Sequence, residues 1–293
     1  MSPKIPKEKP IQPHRPVLSG GSMLPVFFLA LVSTVLASPE RIVTAGSAVT
    51  EIVWALGLGD RLVAVDSSSR QLPGMEQKPD IGYVRTLGAE GVLSQSPDLV
   101  LASSEAGPAE VLQQIRATGV DVVILESGHD LEQVDEKILG IARATGREAE
   151  AAPLLGRFNS DLEDLRETVD SLSARPLVVF LHARGGNNLM AAGSATAAHA
   201  MIEASGGQNA CAVFQGYKPL SAESLAAMKP DFVLVSESVL GSDDDILQSV
   251  PGLAQTPAAK NHHILRVEDA AFLGFGPRSA AAARSVAMKF AEL

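Results

Sequence analysis

The feature that most restricts the fold of this chain is an internal repeat. Residues 82–91 read G-Y-V-R-T-L-G-A-E-G, and residues 216–223 read G-Y-K-P-L-S-A-E. The run P-D-L-V-L at 97–101 follows the first copy, and P-D-F-V-L at 230–234 follows the second at the same offset. A pattern that recurs in this way predicts two similar halves, each built from one kind of supersecondary unit.

Within each half, short apolar runs alternate with segments of helical spacing. The predicted strands cover 41–44, 62–65, 99–102, 120–125, 177–181, 232–235 and 264–267. Strands that alternate with helices indicate parallel sheets covered on both faces. The fold class is therefore predicted as α/β, with two similar lobes of mainly parallel sheets and a ligand cleft between them, where the loops that end the strands meet.

One long helix is predicted between the two halves. Apolar residues recur at helical intervals from Leu154 to Leu172, with charged residues between them and Pro176 beyond the end. We interpret the segment as a rigid spine along both lobes, although an ordinary surface helix would show the same spacing. The predicted domains are an N-terminal lobe (38–146), a spine helix (147–175) and a C-terminal lobe (176–293).

The first 37 residues differ from the rest of the chain. A basic, proline-rich stretch precedes an uncharged apolar run from Leu24 to Leu36, which is too short for a standard transmembrane helix. This pattern is typical of a signal peptide, and we expect cleavage after Ala37. No Cys follows the run, so we predict a periplasmic protein with no lipid anchor at that point.

Tyr83 and Arg85 are the most informative pair for function. If their stretch is extended, the two side chains lie on the same face, and the guanidinium can stabilise a phenolate. Tyrosinate is one of the few protein ligands of haem iron. The alternative is a packed ring beside a solvated charge. Only the first motif copy has Arg two places after its Tyr, which predicts that the two halves differ in chemistry.

Other candidate site residues follow predicted strands or begin predicted helices. His182 ends a strand and precedes the loop with Arg184, so it could be a second iron ligand or a plain loop histidine. Arg278 closes the segment F-L-G-F-G-P-R, which could form an apolar wall with a cation or simply a turn. Glu90 and Glu223 occupy matching repeat positions, where they could cap helices or dock a two-fold partner.

Composition and missing motifs argue against several classes of protein. The formal net charge of −10 and the lack of a basic stripe argue against nucleic-acid binding. A single Cys excludes a disulfide framework within the chain. The chain has no nucleophile elbow, P-loop, dinucleotide loop or H-E-x-x-H motif, so we predict that it is not an enzyme.

These motifs together resemble those of periplasmic haem-binding proteins of bacterial ABC haem importers, in the spine-helix class that includes cobalamin and siderophore binders. The resemblance covers residues 40–293 and is carried by 82–91, 188–193, 216–223 and 274–278. It implies that haem b is the transported ligand and that Tyr83 is its iron ligand, stabilised by Arg85. It also implies that Glu90 and Glu223 dock the permease dimer.

The resemblance further implies the partners of the protein and its oligomeric state. The permease would carry its ATPase, an outer-membrane haem receptor could act upstream, and the binding protein would be a monomer. A siderophore or cobalamin carrier is the alternative within this class. A periplasmic haem- or metal-dependent enzyme is the alternative outside it.

Overall fold

Strands and helices alternate through residues 38–146 in the computed structural model, which describes residues 38–183, 189–239, 241 and 243–293. The predicted signal segment 1–37 and Arg184 lie outside the described residues. The elements of this first lobe are β1 (Ile42–Ala45), α1 (Ser47–Ala55), β2 (Leu62–Val65), α2 (Ala89–Leu93), β3 (Leu99–Ser103), α3 (Ala109–Ala117), β4 (Asp121–Leu125) and α4 (Val134–Thr145). Within the described ranges, no helix is long and apolar enough to cross a membrane.

The strands of the first lobe form one parallel sheet in the order β2-β1-β3-β4. Ile42 pairs with Leu99, and Leu99 in turn pairs with Asp121, so the strands start at the same edge of the sheet. Their carboxyl ends therefore share the opposite edge, which is where loops of open α/β sheets bind ligands.

The second lobe follows the helix α5 (Glu148–Asp170) and has a mixed sheet. Its elements are β5 (Leu177–Ala183), β6 (Leu189–Ala192), α6 (Ala197–Ala204), β7 (Gln208–Asn209), β8 (Tyr217–Pro219), α7 (Ala222–Met228), β9 (Phe232–Ser236), α8 (Asp243–Ser249), α9 (Pro257–Lys260), β10 (Ile264–Val267), α10 (Asp269–Leu273) and α11 (Ser279–Phe290). The strand order is β10-β9-β5-β6-β8, with β7 also paired to β5. β10, β9, β5 and β7 pair in parallel, whereas β6 and β8 are antiparallel additions. The α/β class is confirmed.

The repeated Pro-Asp pair has the same structural role in both lobes. The Asp98 carboxylate accepts hydrogen bonds from the backbone N–H groups of Glu40 and Arg41, which lead into β1. The Asp231 carboxylate accepts one from the N–H of Leu177 at 2.8 Å, at the start of β5. In each lobe the Asp that precedes one central strand thus fixes the start of the neighbouring strand. This shared role explains why the Asp occurs in both copies of the repeat.

Helix α5 runs between the lobes and packs on α4 of the first and α11 of the second. Its inner face carries Phe158, which is fully buried in a core shared by residues of both lobes, such as Ile42 and Phe232. Asp164 of α5 also pairs with Arg284 of α11 at 2.9 Å. The far face of each sheet has its own apolar cluster, so both sheets are covered on two sides.

Candidate ligand-binding site

The loop that carries Tyr83 is held by backbone hydrogen bonds at both ends. Gly82 has φ +94°, a conformation that side-chain-bearing residues rarely adopt, and its carbonyl accepts from the N–H of Ser67. Beyond Tyr83 the chain does not stay extended, since Val84–Thr86 forms a 3-10 turn. Two hydrogen bonds with Gly107 fix this turn. The same-face arrangement expected for an extended strand is therefore absent, and the turn instead orients Arg85.

Tyr83 presents its ring at the surface of the first lobe, where the side chain is 50% exposed. A large ring that is left half exposed on a well-anchored loop is available for a ligand. Arg85 Nη2 lies 2.7 Å from Glu105 Oε1, in the loop after β3. His129, in the loop after β4, places Nε2 4.0 Å from the same carboxylate oxygen. Three loops at one sheet edge thus bring together a phenol, a cation, a carboxylate and an imidazole.

His182 lies at the corresponding edge of the second lobe, near the end of β5. Its Nδ1 is 3.2 Å from Ser236 Oγ and 3.3 Å from Ser238 Oγ, both at the end of β9. Ser236 Oγ donates to Asp269 Oδ2 at 2.7 Å, and burial raises the pKa of this carboxyl. Because the serine hydroxyls occupy Nδ1, Nε2 is the nitrogen that His182 can offer to a ligand.

Tyr217, the tyrosine of the second motif copy, lies on β8 with its ring centroid 5.8 Å from that of His182. Burial, first, and the carboxylate of Asp269 raise the pKa of Tyr217 to about 12, while the charge of Arg85 lowers it. Arg85 and Glu105 of the first lobe thus act electrostatically on the phenol of the second motif copy. Among the described residues, no group of three or more His, Cys, Asp or Glu could hold a metal ion.

Arg278 contacts carboxylates from both lobes. Its Nε donates to Glu51 of α1 at 2.6 Å, and its two terminal nitrogens donate to Glu268 at 2.7 and 2.8 Å. Burial raises the pKa of Glu51, and Arg278 opposes that effect. Arg278 therefore links the lobes, and its predicted role in ligand binding stays a prediction.

Glu90 and Glu223 are the second residues of α2 and α7, and both side chains are exposed. Gly88 precedes α2 without a side-chain cap, whereas the Ser221 hydroxyl caps α7. Hydrogen bonds from its own backbone N–H and from Ser221 lower the pKa of Glu223. The structure thus places one exposed carboxylate at an equivalent helix start in each lobe.

Sequence reasoning missed several residues that the fold brings to the cleft. Tyr217 occupies the place in the second motif copy that Tyr83 has in the first, and the repeat itself was the signal for it. Glu105 and Asp269 follow strands directly, and position alone could have suggested them. His129, which no sequence motif marks, lies beside Glu105 and packs against Phe275 with ring centroids 5.6 Å apart.

Comparisons with known proteins agree with this architecture. The solved structure of the periplasmic heme-binding protein RhuT from Roseiflexus sp. RS-1, in apo form, superposes with a TM-score of 0.79 and 38% identity, covering 86% of this chain and 98% of that one. The uncharacterized ABC transporter substrate-binding lipoprotein YvrC of Bacillus subtilis is 27% identical over 84% of this chain and 78% of its own length.

A cobalamin-binding protein of Halobacterium salinarum is 32% identical over 68% of this chain and 54% of its own length. The chain therefore spans about half the length of that relative. The model of the family described as "Periplasmic binding protein" matches residues 42–271, which is most of the chain. This chain belongs to the periplasmic binding protein family, whose members serve ABC transporters, and its fold is close to that of haem-binding members.

Proposed function

We propose that this protein captures ferric haem, as haem b, in the cleft between its lobes and delivers it to an ABC permease dimer with its ATPase. The observation that carries the proposal is that Tyr83 is half exposed on an anchored loop of the first lobe, with Arg85 two residues further on, while Tyr217 and His182 lie together in the second lobe. A phenol on a fixed loop with a cation two residues away suits a ferric tyrosinate. The similarity to a haem-binding structure supports the same reading.

Each side of the cleft has its own role in this proposal. Tyr83 binds the iron as phenolate, and Arg85 stabilises that phenolate once Glu105 releases or shares the guanidinium. His182 offers Nε2 from the opposite lobe as a second ligand. Arg184 and Arg278 are the cations proposed for the haem carboxylates, although the nitrogens of Arg278 already bind Glu51 and Glu268.

The cellular setting is part of the proposal. We infer export to the periplasm with signal cleavage near Ala37, action as a monomer in iron acquisition, and supply of haem from an outer-membrane receptor. We infer a transport role without catalysis, because the family's members are binding proteins. Glu90 and Glu223 would each meet one basic site of a two-fold permease.

The experiment is a titration of the mature apo protein, residues 38–293, with hemin, followed by absorption spectroscopy. We expect a high-spin ferric tyrosinate spectrum at saturation with one haem per Tyr83. Unchanged hemin bands would remove the proposal. Spectral change that persists in Tyr83→Phe would assign the iron ligand elsewhere.

Cobalamin is the second candidate ligand, because the Halobacterium salinarum relative is a cobalamin-binding protein. Cobalamin would not need the Tyr83 and Arg85 pair. A parallel titration with cyanocobalamin by calorimetry separates the two candidates, since Tyr83→Phe should weaken hemin binding and leave cobalamin binding unchanged.

A further inference from the structure

A small polar cavity of about 90 Å³ adjoins the proposed haem site and shares Glu105 and His129 with it. Val84, the neighbour of Tyr83, and Phe275 of the second lobe both line it. The inner wall is formed by the first turn of α1, Ser103 at the end of β3, and Lys137 of α4. A cavity of this size accommodates a small ion or one carboxylate group, with little space for an apolar ligand.

The first turn of α1 contributes backbone N–H groups to this cavity. The nine-residue helix begins after Gly46, which has φ +115° and no side chain that could cap it. The N–H of Gly46 is used by Asp66 at 2.9 Å, whereas those of Ser47, Ala48 and Val49 have no partner among the described residues. No acidic residue lies in this turn. Of the N–H groups at this helix end, the buried carboxylate of Asp66 bonds only that of the N-cap residue Gly46, so the three following N–H groups at the positive end of the helix dipole stay available to the cavity.

Two hydroxyl groups beside this turn are also without partners. Ser103 is 7% exposed and its hydroxyl makes no hydrogen bond within the described residues. It sits so close to Gly46 that a Cβ on that glycine would be 3.1 Å from Ser103 Oγ. Ser47 Oγ, likewise unbonded, packs against Gly274 of the second lobe. Neither oxygen is among the fully buried atoms without a partner, so both hydroxyl groups remain accessible to a ligand or water in the cavity.

Lys137 supplies a buried positive charge on the same cavity. The residue is 4% exposed, and its ammonium donates to the carbonyl of Phe275 at 2.9 Å, which leaves two donors. Among the described residues no carboxylate lies within 4.0 Å of this ammonium; the nearest acidic group on the cavity wall is Glu105, whose carboxylate is paired with Arg85. Burial lowers the pKa of Lys137 to about 8, and the charge of Glu105 opposes this shift without offsetting it.

From this geometry we infer that the cavity is an oxyanion site, in which the N-terminus of α1, Ser103 and Lys137 bind one carboxylate or phosphate group. The anion accepts hydrogen bonds from the free N–H groups and from both serine hydroxyls, and it neutralises Lys137. Because Lys137 and Ser47 contact Phe275 and Gly274, an anion held here also bridges the two lobes. The oxyanion comes either from a ligand in the adjacent cleft or from a free anion.

The first arm of the test needs no haem. The melting temperature of the apo protein is measured in sodium phosphate and in sodium chloride of equal ionic strength. Phosphate at about ten times its Kd should raise the melting temperature by about 3 °C. Lys137→Met and Ser103→Asp should abolish this rise, the latter because its carboxylate occupies the site. Lys78→Met is the matched control, since Lys78 also donates to backbone carbonyls but lies away from the cavity.

The second arm identifies the source of the oxyanion, and it depends on the proposed function. Hemin is compared with hemin dimethyl ester, which lacks free carboxylates. If the site binds a carboxylate of the ligand in the cleft, the wild type should bind hemin more tightly than the dimethyl ester by about tenfold or more. Lys137→Met should lose that preference. If the preference survives in Lys137→Met while the phosphate effect is lost, the site holds a free anion.

The inference is overturned if Lys137→Met and Ser103→Asp keep both the phosphate response and the hemin preference, or if the wild type shows neither. If hemin does not bind at all, only the proposed function is contradicted, because the phosphate experiment tests the oxyanion site without haem. Far-UV circular dichroism of each variant establishes that it is folded, and Ser103→Asp serves as the readout should Lys137→Met not fold.

Discussion

The two copies of the repeat place their tyrosines in opposite environments. Tyr83 is half exposed, stands on a loop before a 3-10 turn, and has Arg85 nearby. Tyr217 is partly buried on an edge strand beside His182, and Asp269 acts on it as a negative charge. A repeated sequence motif therefore preserves a position at the cleft but not its chemistry. The residues that surround each phenol decide which one can bind an electrophile such as ferric iron.

The largest expected effect is on hemin binding, and it tests directly whether the two tyrosines differ. Tyr83→Phe should weaken hemin binding by about 100-fold, because it removes the only phenol placed with a cation two residues away. Tyr217→Phe should weaken it by less than about tenfold, since a buried phenol loses only packing or one hydrogen bond. Both constants come from fluorescence quenching of Trp54, the single tryptophan. Equal losses in the two variants would mean that the phenols share the ligand.

A pH experiment tests the environment of the second phenol. The pKa of Tyr217 is raised to about 12 in the folded state, against about 10 in an unfolded chain. The folded protein thus keeps a proton that the unfolded chain releases, so this contribution is complete below pH 10 and is lost as the pH rises to 12.

At pH 11 the wild type should have lost about 1.4 kcal/mol from this source, and Tyr217→Phe should not show that loss. Urea unfolding at pH 8 and pH 11 measures the difference between the two proteins. The other phenol, Tyr83, is present in both and cancels in the comparison. Parallel losses would show that the folded environment does not hold the proton on Tyr217.

The next largest effect is expected on stability, from the ion pairs by which Arg278 links the two lobes. Arg278→Ala should lower the free energy of unfolding by about 2 kcal/mol, because it leaves the carboxylate of Glu51 buried without its partner. The figure is below that for a fully buried pair, since the Arg278 side chain is partly exposed. Arg166→Ala, which breaks surface pairs with Glu132 and Glu163, should lower the free energy of unfolding much less, because exposed ion pairs contribute little. Similar urea midpoints for the two variants would contradict a special role for Arg278.

Local signals in the sequence were sufficient for much of the fold. Apolar runs followed by helical spacing predicted the parallel strands, because buried strands and amphipathic helices have different periods. The Pro-Asp pair marked equivalent strands in both lobes, and Asp98 and Asp231 indeed make the same backbone contacts. The predicted helix at the joint occupies Glu148–Asp170, shorter than the interval 147–175 because the chain turns before Pro176.

Contacts between distant segments could not be predicted in this way. The turn at Val84–Thr86 depends on Gly107, and the partners of Arg278 include Glu51, 227 residues earlier. The antiparallel strands β6 and β8 extend the second sheet without a pattern that distinguishes them from loops. Lys137 has the sequence context of a surface helix, and only tertiary packing buries it.

The smallest effects per residue are expected for substitutions of the two exposed glutamates. These substitutions sharpen the comparison of the two motif copies, because at these positions the copies should be equivalent. Glu90 and Glu223 are the second residues of two short helices, and both side chains are exposed to a partner. An exposed ion pair contributes about 0.2 to 1 kcal/mol, so Glu90→Gln or Glu223→Gln alone should slow transport in permease-containing vesicles by less than about fivefold. The double variant should slow it further while its hemin titration stays unchanged, because neither side chain reaches the cleft contacts of Tyr83 or His182.

Glu110→Gln, on the exposed first turn of α3, is the matched control. Normal transport by the double variant, or a loss that follows weaker hemin binding, would leave the two glutamates as helix-start charges only.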